Sequence, residues 1–340
     1  LDAADSQIGF SIPPGECIGE MSIIEDRLTS ATVVAVADST VLTMHKDLFW
    51  DKFVHLPGVV RNLLQLMTQR MRQDNRVIRE SQVNQLRYEH LQKELEMAGK
   101  IQTSMLPHNI PLFPDHPQVD VAATLEPQRE VGGDFYDAFP LDDERVCLII
   151  GDVSGKGMPA AIFMVRVVTL LRMSLTKEAE LDHTIQAINQ ILCQNNEECM
   201  FVTLVVGVLE VSTGRLRYVN GGHNPPFLAR QGQPFGLLPM SRGMLLGVFE
   251  HASFSVDEVV LEPGDELVLY TDGVTEAENP QLEMFSMERA LEIVSSAPVG
   301  ADPVALVKQL EEAVIEYARG WSQSDDITIM ALRYEGPVGA

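Results

Sequence analysis

Between Pro57 and Pro107 the chain carries no proline, and its only glycines are Gly58 and Gly99. Proline and glycine are the residues that break a helix most strongly, so little in this stretch interrupts one. Val60, Leu64, Met67, Met71 and Ile78 recur at heptad-like spacing, as do Leu91, Leu95, Ala98 and Met105, while Asp74, Ser81 and Gln85 are polar at the candidate core positions between them. The pattern predicts one long helix over 57–106 with a coiled-coil tendency and a weakly pairing middle. A helix packed on its own domain is the alternative; a length beyond about 25 residues favours a dimerising or signal-carrying helix. The chain is thereby divided into 1–56, 57–106 and 107–336.

The 340 residues suffice for two domains, and 45% hydrophobic with 22% charged residues is ordinary for a soluble globular protein. No apolar run approaches the roughly 20 residues that span a membrane, and the first residues lack the basic region and apolar core of a signal peptide. The first residue need not be a true N-terminus. Cys17, Cys147, Cys193 and Cys199 form no C-x-x-C pair and no zinc-like spacing with histidine, so reduced thiols in the cytoplasm are expected. The net charge of −24 is uneven: residues 101–340 hold 14 Lys and Arg against 35 Asp and Glu. A region that acidic repels nucleic-acid backbones, and an anionic substrate there would require bound divalent cations.

Residues 1–44 are short apolar runs broken by turn signals, "IGFSIPPGECIGEMSII" and "SATVVAVADSTVLTM", which predict small antiparallel strands. Beyond Pro107 strands and helices mix. Strands are expected at 145–153 and 325–334, and a strand, turn and strand over 200–222. A further strand over 264–277 runs into a loop, and helices are expected at 158–175, 181–195 and 303–319. Without strict βαβ alternation this is an α+β layered fold.

Aspartates cluster where these strands begin and end. Asp152 lies between "CLII" and "VSGKG", Asp272 between "LVLYT" and "GVTEA", Asp325 and Asp326 open "ITIMAL", and Asp134 follows Gly132 and Gly133 in "EVGGDFYDAF". One such aspartate alone reads as a turn cap, and the two glycines alone as a bulge. Together, oxygen ligands without histidine or cysteine suit Mg²⁺ or Mn²⁺. Two such ions about 3.5–4 Å apart activate a water as nucleophile. The glycines then allow the backbone a close approach. No phosphate-binding G-x-x-x-x-G-K-[ST] loop and no G-x-S-x-G elbow is present. His223 in "GGHNPP" reads as a residue that fixes its loop, with an acid or phosphate contact as the lesser alternative.

"REVGGDFYDAF", "IIGDVSGKGMPAAIFM", "YVNGGHNPPFL", "LYTDGVTEA" and "DDITIMAL" occur in the order seen in the PPM metal-dependent serine/threonine phosphatases. Over residues 96–336 the chain resembles their bacterial SpoIIE/RsbU-like branch. The resemblance implies a central β-sandwich flanked by helices with a two-metal site at one edge. It implies Asp134, Asp152, Asp272 and Asp325 as catalytic metal ligands, the Val153 carbonyl as another, and Asp326 as a neighbour. The substrate it implies is a phosphorylated STAS-domain anti-sigma-factor antagonist. A regulatory scaffold that binds such a partner without turnover is the alternative. The branch generally lacks the phosphate-binding arginine of its eukaryotic relatives; Arg129 stands just before the first motif. "MAGKIQTSMLP" resembles the helix that enters this domain and can control its metal site, and a homodimer through the long helix is expected.

Residues 13–71 resemble the second half of a cyclic-nucleotide-binding β-roll of the CAP family, with its following helices. Glu20 stands at the ribose-contacting position. Thr29 stands where the phosphate-binding arginine would be, and Arg27 is two positions early. Without that bidentate partner cyclic-nucleotide binding is not expected; a sensory or dimerising partial roll is.

Overall fold

The computed structural model describes residues 12–28, 31–107, 112–113, 115–176, 180–298 and 300–337. The chain forms two units, Leu1–Arg87 and Tyr88–Ala340.

The first unit contains helix α1 (Glu20–Glu25), helix α2 (Lys46–Asp51), a single 3-10 turn at Phe53–His55, and the first part of helix α3 (Pro57–Thr103). Proline at the first helical position starts α3, because its missing N–H is unsatisfied there in any case. The small strands expected in 1–44 do not form among the described residues. Val34, Val36, Val41 and Leu42 lie exposed in irregular chain. A strand needs a partner for its N–H and C=O groups, and even an isolated hairpin is marginal in water. Glu20, at the expected ribose position, is buried and ion-paired with Arg70 of α3, which also donates to the Cys17 carbonyl at 2.6 Å. Arg27 is exposed beside Glu25 at 3.8 Å. Thr29 lies outside the described residues.

The second unit is built on two antiparallel five-stranded sheets. One has the order β1 (Val119–Glu126), β10 (Ile327–Tyr334), β9 (Glu266–Tyr270), β6 (Phe227–Ala229), β7 (Gly236–Leu237). The other runs β2 (Phe135–Asp142), β3 (Arg145–Val153), β4 (Val202–Glu210), β5 (Arg215–Gly221), β8 (Val256–Val260). Alternation along the strands separates two buried faces. Leu267 and Leu269 of β9, with Met330 and Leu332 of β10, join Ile149, Val206 and other residues of β3 and β4 in one core. The intervening Val268, Tyr270, Ile329 and Ala331 pack instead with α7 (Met287–Ser295) and α8 (Pro303–Tyr317). Helices α4 (Met158–Ser174) and α5 (Leu181–Cys193) cover the second sheet through Met164, Val167, Leu171, Ile185 and Ile188. This is the expected β-sandwich flanked by helices.

Local signals place the helix starts. Asp302 accepts from the Val304 N–H at 2.8 Å and Pro303 follows it, so α8 begins where a cap and an N1 proline coincide. Asp137, fully buried on β2, takes a bidentate pair from Arg172 of α4 at 2.5 and 2.7 Å. Of the two aspartates flanking the Phe135–Tyr136 pair, Asp137 thus fastens a helix to the sheet, and only Asp134 faces the candidate site. The loop expected after "LVLYT" turns at once into a one-turn helix, α6 (Asp272–Thr275).

Candidate metal centre

Asp134, Asp152, Asp272, Asp325 and Asp326 come together at one end of the sandwich, where β2 and β10 begin and β3 and β9 end. Asp134 is buried, and its Oδ2 accepts from the hydroxyls of Thr271 at 2.7 Å and Thr328 at 2.6 Å. These threonines close the end of the β9–β10 pair: the Thr271 N–H donates to the Thr328 carbonyl, and the Thr328 N–H to the Thr271 hydroxyl, both at 3.1 Å. One oxygen of Asp134 is thereby fixed, and Asp152 stands close enough for the two carboxyls to interact.

The paired glycines are explained by what surrounds them. A Cβ on Gly133 would stand 2.6 Å from the Val153 carbonyl oxygen, and one on Gly132 would stand 2.1 Å from Asp326 Oδ2. Neither separation is tolerable, so the 128–134 loop can fold over the end of β3 only with glycine at both positions. Asp326 Oδ1 accepts from the Gln128 N–H at 2.7 Å, and its Oδ2 from the N–H groups of Gly133 at 3.0 Å and Asp134 at 3.4 Å. Both oxygens of Asp326 therefore anchor the loop that carries Asp134. Gln102, in the last turn of α3, grips the same loop: its amide donates to the Gly132 carbonyl at 2.7 Å and accepts from the Gly132 N–H at 3.3 Å.

The carboxylates oppose one another's ionisation. Burial, and then the charge of Asp152, push Asp134 well above the usual carboxylate range, while the Thr328 and Thr271 hydroxyls partly hold it down. Asp152 is pushed up to about 7, first by burial and then by Asp272, with Asp325 and Asp326 adding. Asp272 is raised by burial, Glu276 and Asp325. Acids crowded in this way are held neutral or need cations beside them. One cation of the chain already lies there: Lys156 Nζ stands 3.0 Å from Asp325 Oδ2 and donates to the Ser324 carbonyl. With an all-oxygen donor set, mutual repulsion and a lysine on one carboxylate, the residues fit hard divalent cations. Among the described residues no group of three acidic, histidine or cysteine side chains is yet closed about one ion position. Metal would have to draw Asp325 from Lys156.

His223 is buried, and both ring nitrogens are hydrogen-bonded, to Thr203 and to the Tyr270 carbonyl. Arg129 is exposed and lines a cleft of about 490 Å³ with Lys100, Thr103 and Ser104 beside the end of α3. Thr271, Thr328, Gln102 and Lys156 were not singled out from sequence. Two signals were available: a threonine inside the otherwise apolar "ITIMAL", and a lysine in the glycine-rich "GDVSGKG" of an otherwise strongly acidic region.

The SpoIIE family, described as Stage II sporulation protein E, matches residues 142–335. The chain is 33% identical over 268 residues to Protein IcfG of Synechocystis, covering 70% of this chain and 41% of that protein. It is 25% identical over 301 residues to the phosphoserine phosphatase RsbU of Bacillus subtilis, covering 86% and 85%. Similarity to the cyclic AMP receptor protein of Thermus thermophilus, 37% over 60 residues, spans 18% of this chain and 28% of that one. Among solved structures, the SiaA PP2C domain of Pseudomonas aeruginosa shares the fold with a TM-score of 0.64 at 18% identity, over 72% of this chain and 98% of that one. The matched motifs and the sandwich that unites them lead to one assignment: the chain belongs to the SpoIIE family and carries a SpoIIE-type PP2C phosphatase domain homologous to RsbU.

Proposed function

We propose that the protein is a protein serine/threonine phosphatase that uses two Mn²⁺ or Mg²⁺ ions to hydrolyse phosphoserine or phosphothreonine. The substrate we propose is a phosphorylated STAS-domain anti-sigma-factor antagonist in the cytoplasm. The observation that carries this reading is the convergence of Asp134, Asp152, Asp272 and Asp325, each at a different strand end, with the first three pushed up by burial and by neighbouring carboxylates.

In this reading Asp134, Asp152, Asp272, Asp325 and the Val153 carbonyl hold the ions. Bound there, divalent cations supply a water of lowered pKa and neutralise phosphoryl oxygens. The chain's own residues do the rest. Thr271 and Thr328 fix the rotamer of Asp134 through its Oδ2. Asp326 and Gln102 hold the glycine loop over the Val153 carbonyl. We assign Asp326 to this anchoring rather than to the ions, because both its oxygens are taken by backbone N–H groups. Among the described residues no helix is long and apolar enough to cross a membrane.

The regulatory half of the proposal is a homodimer through α3. Leu64, Met71 and Ile78 are exposed along it at heptad spacing, and a 47-residue helix with such an apolar stripe gains most of its stability from a partner. Its last turn carries Gln102, so a change in pairing has a path to the loop of Asp134. Phosphate release from the phosphorylated antagonist, measured with Mn²⁺ and with chelator, tests the activity. Turnover unaffected by chelation, or absent at every Mn²⁺ concentration, would refute it.

A further inference from the structure

His223 lies where the chain leaves β5 of one sheet and enters β6 of the other. Its side chain is buried, and its backbone N–H donates to Asn220 Oδ1 at 2.8 Å. The ring spans two partners. Nε2 is 3.1 Å from the Tyr270 carbonyl, and Nδ1 is 2.8 Å from the Thr203 hydroxyl. A carbonyl only accepts, so Nε2 carries a proton; in the neutral ring Nδ1 then has only a lone pair and accepts from the Thr203 hydroxyl. The hydrogen-bond pattern fixes one neutral tautomer and leaves neither nitrogen free for acid or base work.

The two partners belong to different sheets, and each adjoins a candidate ligand. Thr203 of β4 stands directly opposite Asp152 of β3 in the antiparallel register, so their side chains share a face. Tyr270 ends β9, immediately before Thr271, which holds Asp134, and Asp272. Within each sheet the backbone ladder sets the spacing of neighbouring ligands. Between sheets no ladder exists, and the distance from Asp152 to Asp272 depends on side chains.

We infer that His223 is a positioning residue, a neutral imidazole strut between the two sheets that presets the separation of Asp152 and Asp272 for cation binding. The inference rests on the reading that these carboxylates hold divalent ions. Burial also depresses the imidazole's pKa to about 4, in keeping with a ring that stays uncharged beside the ions.

The test uses the full chain and Mn²⁺ alone as probe. His223→Asn keeps an acceptor for Thr203 and loses the reach to Tyr270. Thr203→Val cuts the same link from the other side. In the folded, metal-free protein each substitution is expected to weaken Mn²⁺ binding by calorimetry about tenfold or more, the usual scale for residues supporting metal ligands. The double variant should be no weaker than the singles, because only one link is lost. In the wild-type metal-free protein, nitrogen NMR should show the Nε2–H tautomer from pH 5.5 to 8. Wild type that binds Mn²⁺ alongside variants that bind it equally well would overturn the strut and leave the metal site standing. Wild type that binds no Mn²⁺ would overturn the site and the strut with it. Additive losses, an Nδ1–H tautomer, or unfolding of both variants would assign the ring to folding alone.

Discussion

Two apolar segments of similar composition end in opposite states. Residues 33–44, "VVAVADSTVLTM", form no strand, and Val36 and Leu42 are almost wholly exposed. Residues 327–334, "ITIMALRY", form β10, bonded to β1 on one side and β9 on the other, with Ile329 and Met330 fully buried on opposite faces. The first is as rich in β-branched residues as the second. β-Propensity is a preference for packing on a pleated neighbour, and without a neighbour it contributes little. Burial then governs chemistry as well: the aspartates that start and end the paired strands repel one another inside the fold, whereas Asp38 of the unpaired segment stands in solvent.

The contrast can be broken most severely at a strand end. Asp152→Asn is expected to reduce turnover to the level of chelated protein while the metal-free form melts a few degrees higher, since one of several crowded acids becomes permanently neutral. Full turnover would remove Asp152 from the site, and a collapse of the fold would make it structural.

The next effect is on stability. Ile329→Ala should cost about 2–5 kcal/mol, the range for deleting most of a buried branched side chain. Val36→Ser should stay within about 0.5 kcal/mol. Denaturant melts followed by one probe in each unit measure both; equal costs would mean that the first segment is packed in solution.

Acidity sharpens the same comparison. Asp152 ionises at about 7 in the folded metal-free protein and near its ordinary 3.8 when unfolded. It therefore contributes stability at low pH that is lost as pH rises toward 7. His223, depressed to about 4, contributes in the opposite sense, with stability lost as pH falls below about 6.5. Above pH 6.5 only the carboxylates act. The metal-free melting temperature should fall between pH 6.5 and 8, and saturating Mn²⁺ should abolish the fall. A metal-free midpoint that is flat or rises would contradict the crowding.

The smallest effect is expected at Lys156. Removing a half-exposed ammonium from Asp325 by Lys156→Met should tighten Mn²⁺ binding by no more than about fivefold, in line with the weak coupling of partly exposed pairs. Weaker binding would show that Lys156 helps to hold the site rather than compete for it.

Much of this was legible in order along the chain. Helix α3, the strands β3, β4, β5, β9 and β10, and the helices α4, α5 and α8 follow from periodicity and terminal residues, and the aspartates stood out at the strand ends, three of them beside glycine. The strands β1, β6, β7 and β8 and the helix α7 were not picked out; β6 and β7 have only three and two residues, too short to show a period. At the site the sequence supplied the acids but not their division of labour.

Periodicity and capping are local, and residues within a few positions decide them; what the sequence determined by itself was therefore the elements and the carboxylates at their ends. Only the tertiary structure decided that Asp326 serves a loop, that Asp137 serves a helix, that Thr271 and Thr328 serve Asp134, and that His223 spans two sheets. Thr271 and Thr328 lie 137 and 194 positions from Asp134. Their roles exist only once the sandwich has closed, because a hydrogen bond in a buried site depends on separation in space, to which spacing along the chain is no guide.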